Sequence, residues 1–169
     1  MILSIEHGIL RANRKPPASL RSQFSSNDRR AKYALKNCDA RIHFALVCGA
    51  KSCPAVSCYD AENIESTLDM ATTAFLESPC NLSVDVEKRE ITLSMLFKWY
   101  RHDFAKSDYG IVMFILAYVQ DRSMKEKLEE VIGPGKKFKI VYSVYDWDSN
   151  QRTKHNKKKV QRREEEQRA

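Results

Sequence analysis

The chain has 169 residues, 43% of them hydrophobic and 30% charged, which is enough for one domain with a core and too little for two of ordinary size. Its net charge is +7, but residues 151–169 hold eight Lys or Arg and three Glu, a net of +5 that leaves only +2 for residues 1–150. We find no secretion signal and no apolar stretch near the roughly 20 residues of a membrane span, and therefore expect no membrane association and reduced cysteines in a cytosolic compartment.

The first predicted element is a helix over residues 1–11. Its apolar positions recur with helical spacing, at Ile2, Ile5, Ile9 and Leu10. No polar capping residue precedes this pattern, so we expect the domain to be truncated at its N-terminus. Pro16 and Pro17 cannot continue the helix, and residues 28–35 are predicted to form a short helical turn.

A short apolar run from Ile42 to Cys48 is bounded by turn-forming residues. A run of this length is typical of a strand that is buried on both faces, so we predict a central β-strand here. Gly49 favours a tight turn after it, and Pro54 fixes the exit of the loop. We expect the loop to lie at the end of a rigid strand, where a reactive side chain can face solvent.

The following residues carry patterns for four helices and three further strands. The predicted helices are residues 61–78 with Asp60 as N-cap, a helix capped by Ser94, and residues 109–119 and 123–132; the predicted strands form a hairpin over residues 82–93 and a last strand over 138–142. Because the strands do not alternate regularly with helices, we predict an α+β fold in which a small β-sheet packs against several helices, rather than a doubly wound sheet.

We divide the chain into a domain over residues 1–150 and a basic tail over residues 151–169. The tail has almost no apolar residues and cannot offset the entropy cost of its own ordering, so we predict that it is disordered. Its basic clusters could bind nucleic acid or act as a nuclear import signal. However, it lacks aromatic residues for base stacking and contains three glutamates, which favours a solvated tail or a connection to another domain.

Five stretches of the chain follow the order of motifs in a known family. They are residues 5–11, 41–46 with 48–54, 59–64, 97–100 with 103–104, and 145–147. On these motifs the chain resembles the family called domain of unknown function 547, known from plants, invertebrates and bacteria, whose biochemical role is unsettled. The family usually has a preceding Asn-x-Tyr-Asn segment, which has no counterpart here, and Cys58 stands where the family typically has another residue. The resemblance therefore implies a fragment of the domain, and in animals a similar domain accompanies glutaredoxin-like or DEP-type modules.

The loop after the apolar run offers candidates for a catalytic thiolate. Cys53 and Cys48 are candidate nucleophiles, with His7 or His43 as the base that a thiol needs. On a strand, His43 would point away from Cys48, which favours His7. The alternative is that Cys48 is a small buried hydrophobic residue and His43 a core histidine bonded to backbone. Candidate binding residues are Lys51, Ser52, Glu6 and Arg11.

Other chemistry of the cysteines is less favoured. His43, Cys48, Cys53 and Cys58 recur every five residues, at the edge of the spacing of about two to four residues inside zinc-ligand pairs, so we predict no metal site and no cofactor. Cys48 and Cys53 do not form a Cys-x-x-Cys motif, although a disulfide across the loop is conceivable under oxidative stress. The aromatic residues between positions 97 and 109 are interpreted as core rather than as a ligand groove.

Two functions of different classes remain open. The first is an interaction or regulatory module of a larger multidomain protein, with a protein partner and no nucleic acid contact outside the tail. We expect it in the cytoplasm, or in the nucleus through the tail. The second is a cysteine-dependent hydrolase or transferase with a papain- or transglutaminase-like Cys/His site, which requires a histidine nitrogen within hydrogen-bond reach of an exposed sulfur. We favour the module, since a missing segment would remove part of any active site.

Overall fold

A computed structural model describes residues 3–17, 19–135 and 137–149. Its sheet has three strands in the order β1-β2-β3. Strands β1 (Leu82–Asp85) and β2 (Glu90–Leu93) form an antiparallel hairpin, and β3 (Lys139–Tyr142) pairs in parallel with β2. Ile91 lies opposite Val84 on one side and Ile140 on the other. The predicted hairpin and last strand are confirmed.

Helices of several kinds make up most of the regular structure. Among the described residues, the α-helices are α1 (Ile64–Leu76), α2 (Met95–Trp99), α3 (Arg101–Phe104), α4 (Asp108–Tyr118) and α5 (Arg122–Val131), and shorter 3-10 helices cover Arg29–Tyr33, Ala40–Phe44 and Ala61–Asn63. Asp60 and Ser94 cap helices as predicted, since their side chains accept hydrogen bonds from the amides of Glu62 and Leu96. The predicted α+β fold, a small sheet with several packed helices, is confirmed.

The core lies between the sheet and helices α1, α2, α4 and α5. Its fully buried apolar side chains are Phe44, Leu82, Ile91, Leu93, Phe97, Ile111, Val112, Ile115, Leu128 and Val131. The aromatic residues between positions 97 and 109, interpreted as core from the sequence, differ in burial. Phe97 is fully buried and Phe104 packs against the core, whereas Tyr109 is 54% exposed. Burial of this apolar area is the main favourable term for folding.

The prediction of a central strand over residues 42–48 is wrong. Ala40–Phe44 forms a 3-10 helix, and the rest of the apolar run is turn and irregular chain. Asp39 starts this helix, because its carboxylate accepts a hydrogen bond from the amide of Arg41 at 2.9 Å as an N-cap does. The two amides that follow the helix both donate to the carbonyl of Ile42 at 3.0 Å. Local hydrogen bonds thus replace the sheet pairing that a strand would need.

The N-terminal segment is helical as predicted, but Ser4–Leu10 forms a π-helix that buries a polar side. His7 is 4% exposed, whereas the apolar Ile5 is 46% exposed. A Cβ atom at Gly8 would lie 2.2 Å from the ring of Phe24, so only glycine allows the ring to pack against the helix here. The N-cap residue makes no side-chain capping bond, in agreement with the missing cap in the sequence.

The predicted basic tail over residues 151–169 lies outside the described residues. The longest described α-helix, α1, has 13 residues, well short of the roughly 20 that a bilayer span needs. Nowhere in the described part of the chain is a helix both long enough and apolar enough to cross a membrane.

Candidate functional site

A buried polar cluster lies where the π-helix, the 3-10 helix at Ala40–Phe44 and the segment from α2 to α3 meet. We use this name for Glu6, His7, Arg11, His43, Tyr100 and Asp103. The Asp103 side chain, 1% exposed, is its centre. One carboxylate oxygen of Asp103 accepts from Arg11 Nε at 2.5 Å and lies 2.9 Å from His43 Nε2, and the other accepts from Arg14 at 3.0 Å.

The remaining members of the buried polar cluster enclose this carboxylate. Arg11 contacts His7 Nδ1 at 2.7 Å, and because a guanidinium can only donate, that ring nitrogen accepts and the imidazole is neutral. The Tyr100 hydroxyl donates to Glu6 at 2.7 Å, and the Tyr100 ring stacks on His43 with ring centroids 3.8 Å apart. Every polar side chain of the cluster has a partner, so the groups are held rigidly in place.

Burial sets the charge states of the cluster. It lowers the pKa of His7 and of His43 below 6.5, and for His43 it outweighs the attraction of Asp103. Burial acts to raise the pKa of Asp103, but hydrogen bonds from His43 and Arg11 prevail and hold that pKa well below its usual range. At neutral pH the cluster therefore combines neutral imidazoles with a charged carboxylate.

Cys38 adds a thiol to this cluster without making it a metal site. The ligand atoms of Cys38, His43 and Asp103 all lie within 4.8 Å of one another. Burial raises the pKa of Cys38 to about 12, so a metal ion would have to displace the thiol proton in order to bind. Arg11 and Arg14 already pair with Asp103 and would repel a cation. The residues present do not fit a metal ion.

A second constellation, the thiol site, consists of Cys48, Cys53 and Tyr145. The Tyr145 hydroxyl lies 3.3 Å from Cys53 Sγ and 3.7 Å from Cys48 Sγ. The main-chain N–H of Cys48 also donates to Cys53 Sγ at 3.2 Å. Gly49 has a φ of +84°, a left-handed conformation that residues with a side chain rarely adopt, and this turn brings the two cysteines together.

The loop of the thiol site is fastened to the C-terminal segment. Lys51 donates from its main-chain amide and from Nζ to Asp148, both at 2.9 Å. Ser52 accepts through Oγ from the amide of Asp146 at 2.9 Å. Lys51 and Ser52 therefore position the loop, and their predicted binding role stays a prediction.

Hydrogen bonds make the Cys53 thiol more acidic than an ordinary cysteine thiol. Burial acts to raise its pKa, but hydrogen bonds from the Cys48 and Tyr145 side chains and from the Cys48 amide prevail and lower the pKa of the Cys53 thiol. Burial and the two thiols together raise the pKa of Tyr145, so its hydroxyl keeps the proton that it donates. A partly exposed thiol with such donors is the environment in which cysteines react.

Aromatic packing connects the thiol site to the buried polar cluster. The Tyr145 ring packs on Trp99 and Trp147 with centroid distances of 4.9 and 4.6 Å. Trp99 is followed directly by Tyr100, which stacks on His43. The end of α2 thus contacts both constellations through neighbouring residues.

An apolar groove of about 950 Å³ opens beside the thiol site. We use this name for the space between α1, residues 51–57 and residues 143–146. Its lining includes Val56, Met70 and Val144, residues that are 84%, 63% and 95% exposed. Cys53 also lines the groove, so a molecule bound there would lie against the thiol.

The structure divides the predicted site residues between the two constellations. The buried polar cluster holds His7, His43, Glu6 and Arg11, and the loop of the thiol site holds Cys48, Cys53, Lys51 and Ser52. Within the described residues, no hydrogen bond joins an imidazole to Cys48 or Cys53. The two histidines are engaged in the buried cluster, and a catalytic role of the four candidates stays a prediction.

Sequence reasoning missed four residues of these sites. Asp103 and Tyr145 enter the sequence analysis only as parts of the family-like motifs, and Tyr100 also as one of the aromatic residues interpreted as core. Their place in those motifs is the signal that could have identified them. Cys38 carried no such signal, because its partners are distant along the chain.

Fold and sites together define a small α+β domain with a buried polar cluster and, beside the apolar groove, the thiol site. Residues 2–76 match the family model described as "Protein of unknown function, DUF547". Over this stretch the chain is similar to that family, and the resemblance seen in the sequence is confirmed. Comparisons with curated proteins and with solved structures gave no match. The matched stretch contains both cysteines of the thiol site but neither Tyr145 nor Asp103.

Proposed function

We propose that the domain is an interaction module that binds an extended, apolar peptide segment of a partner protein in the apolar groove. The observation that carries this proposal is the exposure of Val56, Met70 and Val144 along one groove. Contiguous apolar side chains left in water are unfavourable, and such surfaces commonly mark binding sites.

The backbone beside the groove supports a peptide as the occupant. Strand β3 is an edge of the sheet, and its continuation at residues 143–145 lines the groove. Among the described residues, no hydrogen bond engages the main chain of Val144. An extended peptide can pair with such a backbone while its side chains enter the groove. Lys51 is already paired with Asp146 and Asp148, which favours apolar over charged side chains in the peptide.

We expect peptides selected from a random displayed library on the 169-residue chain to lose affinity when the groove is charged. Met70→Glu should raise the dissociation constant of a selected synthetic peptide at least about tenfold, which corresponds to about 1.4 kcal/mol. Fluorescence anisotropy of the labelled peptide measures this change.

Met113→Glu is the matched control, because Met113 is 46% exposed on α4 and does not line the groove. Its affinity for the peptide should equal that of the unaltered chain. Equal weakening by both substitutions, or a library that yields no binding peptide, would overturn the assignment of the groove.

The setting of the module belongs to the same proposal. We infer a domain over residues 1–150 and a separate basic tail over residues 151–169 within a larger cytoplasmic or nuclear protein, alongside modules such as the glutaredoxin-like or DEP type. The near-neutral charge of residues 1–150, +2 of the total +7, favours a protein partner over nucleic acid for the domain itself.

The second candidate function is a cysteine-dependent hydrolase or transferase. The observation that favours it is the lowered pKa of Cys53 at the wall of a groove that could hold a substrate. It ranks below the module because a nucleophilic thiol of this class needs a base in hydrogen-bond reach, and the histidines of the described chain contact neither thiol.

Alkylation by iodoacetamide across pH, followed by mass spectrometry for each cysteine, separates the two functions. We expect the Cys53 rate to reach half its maximum at a pH below the usual thiol pKa of about 8.5, because its hydrogen bonds favour the thiolate. Tyr145→Phe should raise that midpoint, and His7→Gln and His43→Gln should leave it unchanged. If either histidine variant raised the midpoint, the result would instead favour the enzyme function over the interaction module.

A further inference from the structure

We infer that Cys53 is a site of oxidation by peroxide and that Cys48 is its resolving thiol, so that oxidation closes a disulfide within the loop. The inference rests on the convergence of both sulfurs on one hydroxyl group, that of Tyr145. It does not depend on what the apolar groove binds.

Cys53 is placed to react first. Its sulfur accepts from the Cys48 amide at 3.2 Å and from the Tyr145 hydroxyl at 3.3 Å. Both bonds favour the thiolate, which is the form that attacks a peroxide. Because Cys53 lines the open groove, a molecule as small as hydrogen peroxide can reach it.

Cys48 is placed to react second. It is exposed, and its sulfur lies 3.7 Å from the same Tyr145 hydroxyl that lies 3.3 Å from the Cys53 sulfur, so the two sulfurs are neighbours across the turn. Gly49 supplies the flexible turn between them, with nothing within 4 Å of a Cβ built there. The segment after the turn is fastened by Lys51 and Ser52, which keeps Cys53 in position while Cys48 moves.

The chemistry balances with hydrogen peroxide as the oxidant. The Cys53 thiolate attacks one peroxide oxygen, an S–O bond forms, the O–O bond breaks, and the leaving hydroxide takes a proton to become water. The Cys48 thiol then attacks the sulfur of the sulfenic acid, an S–S bond forms, and the S–O bond breaks. The second hydroxide leaves with the Cys48 proton as water, so two thiols and one peroxide give one disulfide and two waters.

The other cysteines lack this arrangement. Burial raises the pKa of Cys38 to about 12, which keeps it a thiol. Cys58 and Cys80 are exposed, but no hydrogen bond within the described residues reaches either sulfur. They therefore serve as internal controls for unassisted oxidation.

The experiment treats the reduced 169-residue chain with dilute hydrogen peroxide and maps its tryptic peptides. In a Cys58→Ser, Cys80→Ser background, Cys53 is the only thiol of the peptide covering residues 52–88. We expect that peptide to become linked to the one covering residues 42–51, which carries Cys48, and to separate again on reduction.

Two further variants test the roles of the individual groups. With Cys48→Ser the sulfenic acid has no resolving thiol, so dimedone should label Cys53 and no linked peptide should form. With all cysteines present, Cys53 should be oxidised several-fold faster than Cys58 or Cys80, because its hydrogen bonds favour the reactive thiolate. Tyr145→Phe keeps the ring and removes the hydroxyl, and should reduce that preference.

Several results would overturn the inference. One is oxidation of Cys53 at the rate of Cys58 and Cys80. Another is a disulfide that joins Cys53 to a cysteine other than Cys48, and a third is dimedone labelling of Cys48 in place of Cys53. Circular dichroism of each variant excludes unfolding as the origin of a changed rate.

Discussion

Replacing Asp103 by asparagine should lower the free energy of unfolding by about 3–5 kcal/mol, the usual cost of breaking a buried ion pair. The side chain keeps its shape but loses its charge, and the Arg11 guanidinium, 4% exposed, thereby loses the carboxylate with which it pairs among the described residues. Arg11 cannot avoid this cost by losing its proton, because a guanidinium stays charged in proteins. Because whole domains are stable by only about 5–15 kcal/mol, urea unfolding followed by circular dichroism should show a large shift of the midpoint.

Asp108→Asn is the matched control for this substitution. Asp108 pairs with Arg101 at 2.6 Å, but its side chain is 47% exposed. Surface ion pairs of this kind contribute about 0–1 kcal/mol, so the control should remain close to the unaltered chain. Similar losses for the two variants would contradict the central role given to Asp103.

Truncating Phe44 to alanine should cost about 3–5 kcal/mol, because it removes a buried aromatic ring and leaves a cavity. Phe44 is 1% exposed and packs on the rings of Phe75 and Phe97 with centroid distances of 4.7 and 5.7 Å. It thereby fastens the 3-10 helix at Ala40–Phe44 to α1 and α2. Urea unfolding monitored by circular dichroism measures the loss.

Leu20→Ala provides the comparison for Phe44→Ala, since Leu20 is 91% exposed. Exposed substitutions away from special features change stability by about 0.5 kcal/mol or less. A Phe44→Ala variant as stable as Leu20→Ala would mean that the 3-10 helix does not hold the core together.

Elements with local determinants were predictable from sequence. The hairpin over residues 82–93 follows from alternating polarity around a turn, in which Arg89 takes a positive φ of 51°. Asp60 and Ser94 were recognised because a capping side chain bonds an amide two residues away. In each case the deciding contacts lie within a few residues of one another.

The apolar run at residues 42–48 shows where local reasoning fails. Buried strands and buried helical turns share the same composition over so few residues. The deciding interactions are the cap by Asp39 and the ion pairs of Arg41 with Glu65 and Asp69. Those two carboxylates lie on α1, 24 and 28 positions further along the chain.

The candidate sites depend on still longer connections. His43 meets Asp103 over a separation of 60 residues, and Cys48 meets Tyr145 over 97. Periodicity shows which side of its own element a side chain occupies, but it carries no information on the element that will face it. The sequence could therefore supply the cysteine and histidine candidates, but not their division into two groups, nor the partners Asp103 and Tyr145.

The packing of Trp99 and Trp147 against Tyr145 also determines which region of the protein its tryptophan fluorescence reports on. These are the two tryptophans of the chain, and both lie in ring contact with the tyrosine that touches the thiols. Their fluorescence therefore originates beside the thiol site and the apolar groove, whereas the buried polar cluster contains no tryptophan. The domain thus carries a built-in optical probe whose signal comes from one region of its surface.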